Sequence, residues 1–249
     1  MSIRLSQGLV VLSVVGLFSI AALNAPAATY SGPGTALGSS INDGAGISSV
    51  VINNDANNIT FTVNSSNPMA SYIFYTAELQ IVGQAANGST SLVNPWGENI
   101  GISSGVNALV NTWGTGASAL TYGGGNWTQN EAENYSAGGT GSSYFTVTFA
   151  LSSLGLSVGN SFYFDVVASY ANPSGQSAYG ALDSTGYPAE SDGSYQPWLG
   201  SNYYDSQTDP TSTFSASAPL YTVVPEPTTL VLVGLGGLLL ACRRFFRRA

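Results

Sequence analysis

The chain has 249 residues, with no lysine, no histidine and a single cysteine, Cys242. Its five basic residues are all arginine: Arg4 near one end, and Arg243, Arg244, Arg247 and Arg248 near the other. Of the 13 acidic residues only Glu226 falls outside Thr29–Val224, which leaves that stretch 12 carboxylates, no cation and a net charge of −12. Nucleic-acid binding needs Lys or Arg to neutralise phosphate, so it is excluded for this stretch. Side-chain clamps for phosphorylated ligands go with it. A Ser-His-Asp or Cys-His nucleophile, a His or Cys zinc site and a Schiff-base lysine all lack their residues. No disulfide can form there either, so a stretch of this size must rest on its core.

What is present is a period of two. Ile59, Phe61 and Val63 alternate with polar residues, as do Phe145, Val147, Phe149 and Leu151, and Phe162, Phe164, Val166 and Ala168. The last run puts Asp165 on the opposite face. Ser48–Ile52 and Ser71–Val82 read as further strands, rich in β-branched and aromatic residues. Asn53–Asn58 reads as a hairpin loop, because Asn and Asp tolerate left-handed backbone. Ala150–Leu156 has room for one short helical turn at most. Strands joined by Gly/Ser/Asn-rich loops predict an all-β fold, an antiparallel, jelly-roll-like β-sandwich spanning residues 29–223 as one domain. Two stretches, Asn87–Ser143 and Asn172–Pro219, are too long for plain connections and must be functional or hold further strands.

Chemistry open to such a body is that of carboxylates, hydroxyls and aromatic rings. Trp96, Trp113, Trp127 and Trp198 fall outside the clear strands, and Tyr203 and Tyr204 lie beside Trp198. A sugar presents an apolar C–H face and a rim of hydroxyls, which aromatic rings next to Asn, Asp and Gln match without a cation. These six residues are the candidate ligand platform; the competing reading is that the rings fold inward and close the ends of the sandwich. Calcium takes oxygen ligands. Asp183, Glu190 and Asp192, and Asp205 with Asp209, are its candidate ligands, against an ordinary role for Asp in capping turns. No other cofactor is expected. Glu131 and Glu133 could serve a glycosidase, which needs only paired carboxylates, but their Asn-rich surroundings read as a solvated loop. No catalytic residue is assigned. Three readings stay open: a non-catalytic polysaccharide-binding protein, a carboxylate-dependent glycosidase, and a self-assembling surface protein.

Both ends carry traffic signals. Arg4 is followed by an apolar core, Leu9–Leu23, and small residues at Ala25–Ala28, so residues 1–28 read as a secretory signal peptide cut after Ala27 or Ala28. At the other end Pro225-Glu226-Pro227 holds the backbone extended. Leu230–Ala241 is uncharged, and with its flanks approaches the length of a membrane span. Arg243, Arg244, Arg247 and Arg248 form the cationic stop that keeps its end cytoplasmic. In order and content, residues 224–249 resemble the PEP-CTERM sorting signal of exported bacterial proteins, with Pro225-Glu226-Pro227 as the signature tripeptide. The resemblance implies recognition by exosortase, a membrane protease-transpeptidase. It also implies transient membrane anchorage by a C-terminal transmembrane helix. The destination would be the cell surface or extracellular matrix of a Gram-negative bacterium, in association with exopolysaccharide and biofilm. Separately, Phe145–Tyr170, with its Leu154-Gly155-Leu156 turn, resembles a strand pair of extracellular sugar-binding sandwich modules.

Overall fold

A computed structural model describes residues 27–32, 34, 43–84, 92–93, 101–102, 105–170, 178–182 and 218–225. The two end segments, apart from Ala27, Ala28, Val224 and Pro225, lie outside these residues. Among the described residues no helix is long and apolar enough to cross a membrane.

Alternation is realised as two antiparallel sheets. The first is built from β1 (Ala28–Ser31), β2 (Ile47–Asn54), β3 (Asn58–Ser65), β10 (Ala137–Gly138) and β11 (Tyr144–Ala150), in the order β1-β2-β3-β11-β10. The second contains β4 (Ile73–Ile81), β7 (Ala108–Trp113), β8 (Gly116–Gly123), β9 (Asn126–Asn134), β12 (Ser161–Tyr170) and β13 (Ala178–Ala181). Its order is β13-β12-β4-β7-β8-β9, and β14 (Leu220–Thr222) pairs with the start of β12. A separate pair joins β5 (Leu92–Val93) to β6 (Gly101–Ile102). A 3₁₀ turn, Leu151–Leu154, follows β11 and ends at Gly155 in the left-handed region.

The sheets share one core. Ile59, Phe61, Val63, Phe145, Val147 and Phe149 from the first meet Tyr75, Leu79, Ile81, Phe162, Phe164 and Val166 from the second. Aromatic contacts lock the layers: Tyr75 lies 5.3 Å from Phe145, and Tyr135 stacks on the same ring at 4.7 Å. Burying a ring of this size contributes about 2 kcal/mol of transfer free energy. Tyr75 also donates its buried hydroxyl to the Gly44 carbonyl at 2.7 Å, which satisfies the one polar atom it takes inside.

The long stretch 87–143 holds the strands that alternation did not reveal. Glu131 and Glu133, expected in a solvated loop, lie on β9, and Trp113 and Trp127, expected outside strands, lie on β7 and β9. Their strands form a meander β7-β8-β9 within one sheet. The β8–β9 hairpin turns on Gly124 and Gly125, at φ 60° and 91°. A type I′ two-residue turn needs positive φ at both central positions, and glycine supplies it without a Cβ clash.

Candidate functional site

Three places among the described residues of the body carry chemistry. The first is where the body ends. β14 delivers Tyr221 and Val223 into the core, at 4% and 0% exposure. One residue further, Val224 is gripped by Asn54 at the end of β2: the Asn54 amide donates to the Val224 carbonyl at 2.8 Å, and its oxygen accepts the Val224 N–H at 3.2 Å. The same oxygen accepts the Tyr221 hydroxyl at 2.7 Å, and the amide also donates to the Asp55 carbonyl. Asn54 is itself buried, so every polar atom of this clamp is used. Pro225 follows at once and is exposed. No linker separates the packed body from the Pro-Glu-Pro tripeptide.

The second place is the outer face of the first sheet. Register places its side chains in rows across the strands: Ser31, Ser49, Asn64 and Tyr144; Thr29, Val51, Thr62 and Thr146; Asn53, Thr60 and Thr148. None is charged, although the body carries −12. Thr60 and Thr148 share a hydroxyl hydrogen bond at 2.8 Å, and Thr62 and Thr146 one at 2.9 Å. The Asn64 amide donates to the Ser49 hydroxyl at 3.0 Å. These cross-strand bonds hold the hydroxyls in a fixed array and leave threonine methyls between them. From strand spacing and rise, the array covers roughly 14 by 13 Å. Tyr144 stands at its corner, 39% exposed.

The third place is the middle of the outer face of the second sheet, where the side chains are buried. Glu78 and Asp165 are direct register partners on β4 and β12, at 0% and 3% exposure. Thr76, Asn111, Ser118 and Ser169 share their face and are buried as well. Asp165 accepts the Val166 N–H at 2.7 Å. With no Lys, Arg or His between Arg4 and Arg243, no basic side chain of the body balances this pair. Beside it Val106, Leu109 and Leu120 form a small apolar cluster; Tyr122 and Trp127 pack against it and meet each other edge to face, their ring centroids 5.1 Å apart.

Of the platform residues the structure describes Trp113 and Trp127, which stand towards opposite ends of the β7-β8-β9 meander, opposite Gly116 and Tyr122. Trp127 and Trp113 are half-buried, 14 residues apart in sequence, on the β9 and β7 strands of the second sheet. Glu131 on β9 accepts the Ala150 N–H at 2.9 Å, while Glu133 is exposed. Trp96, Trp198, Tyr203, Tyr204 and the calcium candidates Asp183, Glu190, Asp192, Asp205 and Asp209 lie outside the described residues. So do Glu226, Pro227 and the arginines of the cationic stop. Among the described residues no three His, Cys, Asp or Glu side chains are grouped to hold a metal. Two features escaped the sequence reading: the hydroxyl array with Tyr144, and the Asn54 clamp. For the first the signal was present, since Tyr144, Thr146 and Thr148 alternate against Phe145, Val147 and Phe149.

An all-β body that ends directly on an exposed Pro225 is the setting of a C-terminal processing signal. Residues 223–248 match the PEP-CTERM protein-sorting motif, so the chain carries the mark of an exported, exosortase-sorted bacterial surface protein. The match begins at Val223, which is fully buried in the core. No curated protein and no solved structure matches the chain.

Proposed function

We propose that the body is a non-catalytic polysaccharide-binding protein of the cell surface or extracellular matrix, associated with exopolysaccharide, and that the outer face of the first sheet is its contact surface. The observation that carries this reading is the uncharged array of hydroxyls, methyls and amides on a body of net charge −12. Such a face offers both halves of carbohydrate recognition, with Tyr144 as a ring on which a sugar can stack. Charge further selects the ligand: an acidic glycan is repelled by the body, so the ligand is a neutral one. Among the described residues Glu78, Asp165 and Glu131 do not favour a glycosidase reading. Glu78 and Asp165 are closed to a sugar chain, and Glu131 spends an oxygen on the Ala150 N–H.

The test is co-sedimentation of the purified body with the producer's exopolysaccharide and with insoluble neutral glycans, with calcium and with chelator. Saturable binding is expected, weakened about tenfold by Tyr144→Ala, a change equivalent to about 1.4 kcal/mol. Thr62→Asp places a charge mid-array and should abolish it. Loss of binding in Trp198→Ala or Tyr204→Ala, with Tyr144→Ala unaffected, would move the contact to that aromatic cluster. No binding to any glycan would end the proposal.

A further inference from the structure

Both ends of the body leave from one end of the sandwich. Ala28 pairs with Ile52, and two residues along the same strand Asn54 grips Val224. The strands that carry the two ends also touch, the Tyr30 hydroxyl donating to the Leu220 carbonyl at 2.9 Å. Strand rise and pairing distance put the two exits roughly 15 Å apart. Beyond them the sequence leads quickly to apolar runs: only Asn24–Ala27 precedes the body after Leu9–Leu23, and only Glu226–Thr229 follows it before Leu230–Ala241. Four residues reach at most about 14 Å. While either run sits in a bilayer, this end of the body is held against the lipid.

The surface at this end suits that position. Val82 is 52% exposed in the turn after β4, and Val158 is 39% exposed in the turn before β12. Leu220 and its cross-strand partner Tyr163, 46% and 39% exposed, stand just behind them. These are four of the five large exposed hydrophobic residues among those described; the fifth, Tyr144, belongs to the hydroxyl array. The segments 82–84, 156–160 and 220–225 contain no charged residue. Among the described residues the carboxylates nearest this end are tied to backbone: Asp55 accepts the N–H groups of Asn57 and Asn58, and Glu131 that of Ala150. Glu226, the residue after Pro225, lies outside them.

We propose that this end is a membrane seat, which holds the body on the headgroup and upper acyl region of a zwitterionic bilayer until sorting releases it. Valine and leucine side chains enter the apolar boundary, and tyrosine places its hydroxyl at headgroup level. The proposal rests on the sorting reading, because the C-terminal run is what brings the seat to the membrane.

The test uses the full chain with Cys242→Ser, so that one introduced cysteine is unique. An environment-sensitive fluorophore is attached at Val158→Cys or, as control at the opposite end, at Ser143→Cys. The protein is reconstituted in phosphatidylcholine vesicles. A blue shift, quenching by spin-labelled lipid and protection from aqueous iodide are expected at position 158, with water-like emission at 143. Equal emission at both positions overturns the proposal. Protection of 158 only in cells containing exosortase, and not in protein-free vesicles, also overturns it, since the partner would then be a protein. Val82→Asp with Val158→Asp changes only exposed side chains; it should abolish lipid quenching from a fluorophore at Leu220→Cys while leaving thermal unfolding unchanged. Sorting is read separately, by loss of a C-terminal tag in cells. Retention of the tag by the wild-type chain would refute sorting without altering the vesicle result.

Discussion

Replacing Asn54 by alanine should unfasten the end of the body. The side chain makes three short hydrogen bonds, to the Tyr221 hydroxyl, the Val224 carbonyl and the Asp55 carbonyl, and a longer one to the Val224 N–H. At about 1 kcal/mol net for each short bond, and about 1 more for leaving the buried Tyr221 hydroxyl unsatisfied, Asn54→Ala should cost about 4 kcal/mol. With a urea dependence of about 2 kcal/mol per molar, the midpoint should fall by about 2 M at unchanged slope. Tyr221→Phe alone should cost about 1 kcal/mol. The double variant should cost about 2 kcal/mol less than the sum of the two, because the Asn54–Tyr221 bond is counted in both single variants and the orphaned hydroxyl is gone. A second readout is proteolysis: chymotrypsin should cut Asn54→Ala after Leu220 or Tyr221 under conditions that spare the wild type. A cost below about 1 kcal/mol, or strict additivity in the cycle, would show that β14 is held by its core side chains and not by the clamp.

Alkali should unfold the protein late and through its tyrosines. Burial pushes Tyr135 up to about 12 against an opposing hydrogen bond from Thr112, and burial, with a smaller contribution from Tyr30, pushes Tyr221 up to about 12. Burial raises Tyr75 as well. Unfolded tyrosine ionises near 10 while these hold their protons, so stability is intact below about pH 10 and is lost as pH rises towards 12. A fall in the urea midpoint already between pH 8 and 9 would contradict this. On the acid side Asp55 acts with the opposite sign. Burial raises its pKa but the N–H donors of Asn57 and Asn58 outweigh it and lower it, so its contribution is lost as pH falls below the ordinary carboxylate range. Gly138→Ala should cost about 3 kcal/mol, since φ is 76° and a Cβ would stand 2.0 Å from the Tyr144 carbonyl oxygen. Gly83→Ala, with a similar φ but open space, should cost about 1. The processed surface form should survive trypsin even when denatured, because no Lys or Arg lies between Arg4 and Arg243. Recovery of that form with Arg243–Arg248 attached would refute processing.

The strands that alternate large apolar with polar residues were legible because one face of each must enter the core: Ile59, Phe61 and Val63 do so, as do Phe162, Phe164 and Val166. β8 and β9 were not. Ala117 and Ala119 fill their core positions with methyl groups that barely register as hydrophobic, and β9 is polar along almost its whole length. Their register is set by the Gly124-Gly125 turn and the pairing with β7, which composition alone does not reveal. The pairing of Glu78 with Asp165 was equally hidden, since it depends on which strands become neighbours across 87 positions of chain. The sorting tripeptide could be read directly, because a short rigid signal is recognised as sequence. The clamp that meets it could not, because Asn54 looks like any residue of a hairpin loop until Val224 arrives beside it.

With its two exits only some 15 Å apart by strand geometry, the body is a closed unit that a bridge of about five residues could join. Once joined, the chain could be reopened elsewhere. New termini beside the exposed Ser143, on the far end of the sandwich, would keep both sheets and their core. Such a permutant would hang from the bilayer upside down, with Val82 and Val158 turned to solvent. The fold would be the same protein with its orientation reversed, which separates what the body is from which way it faces.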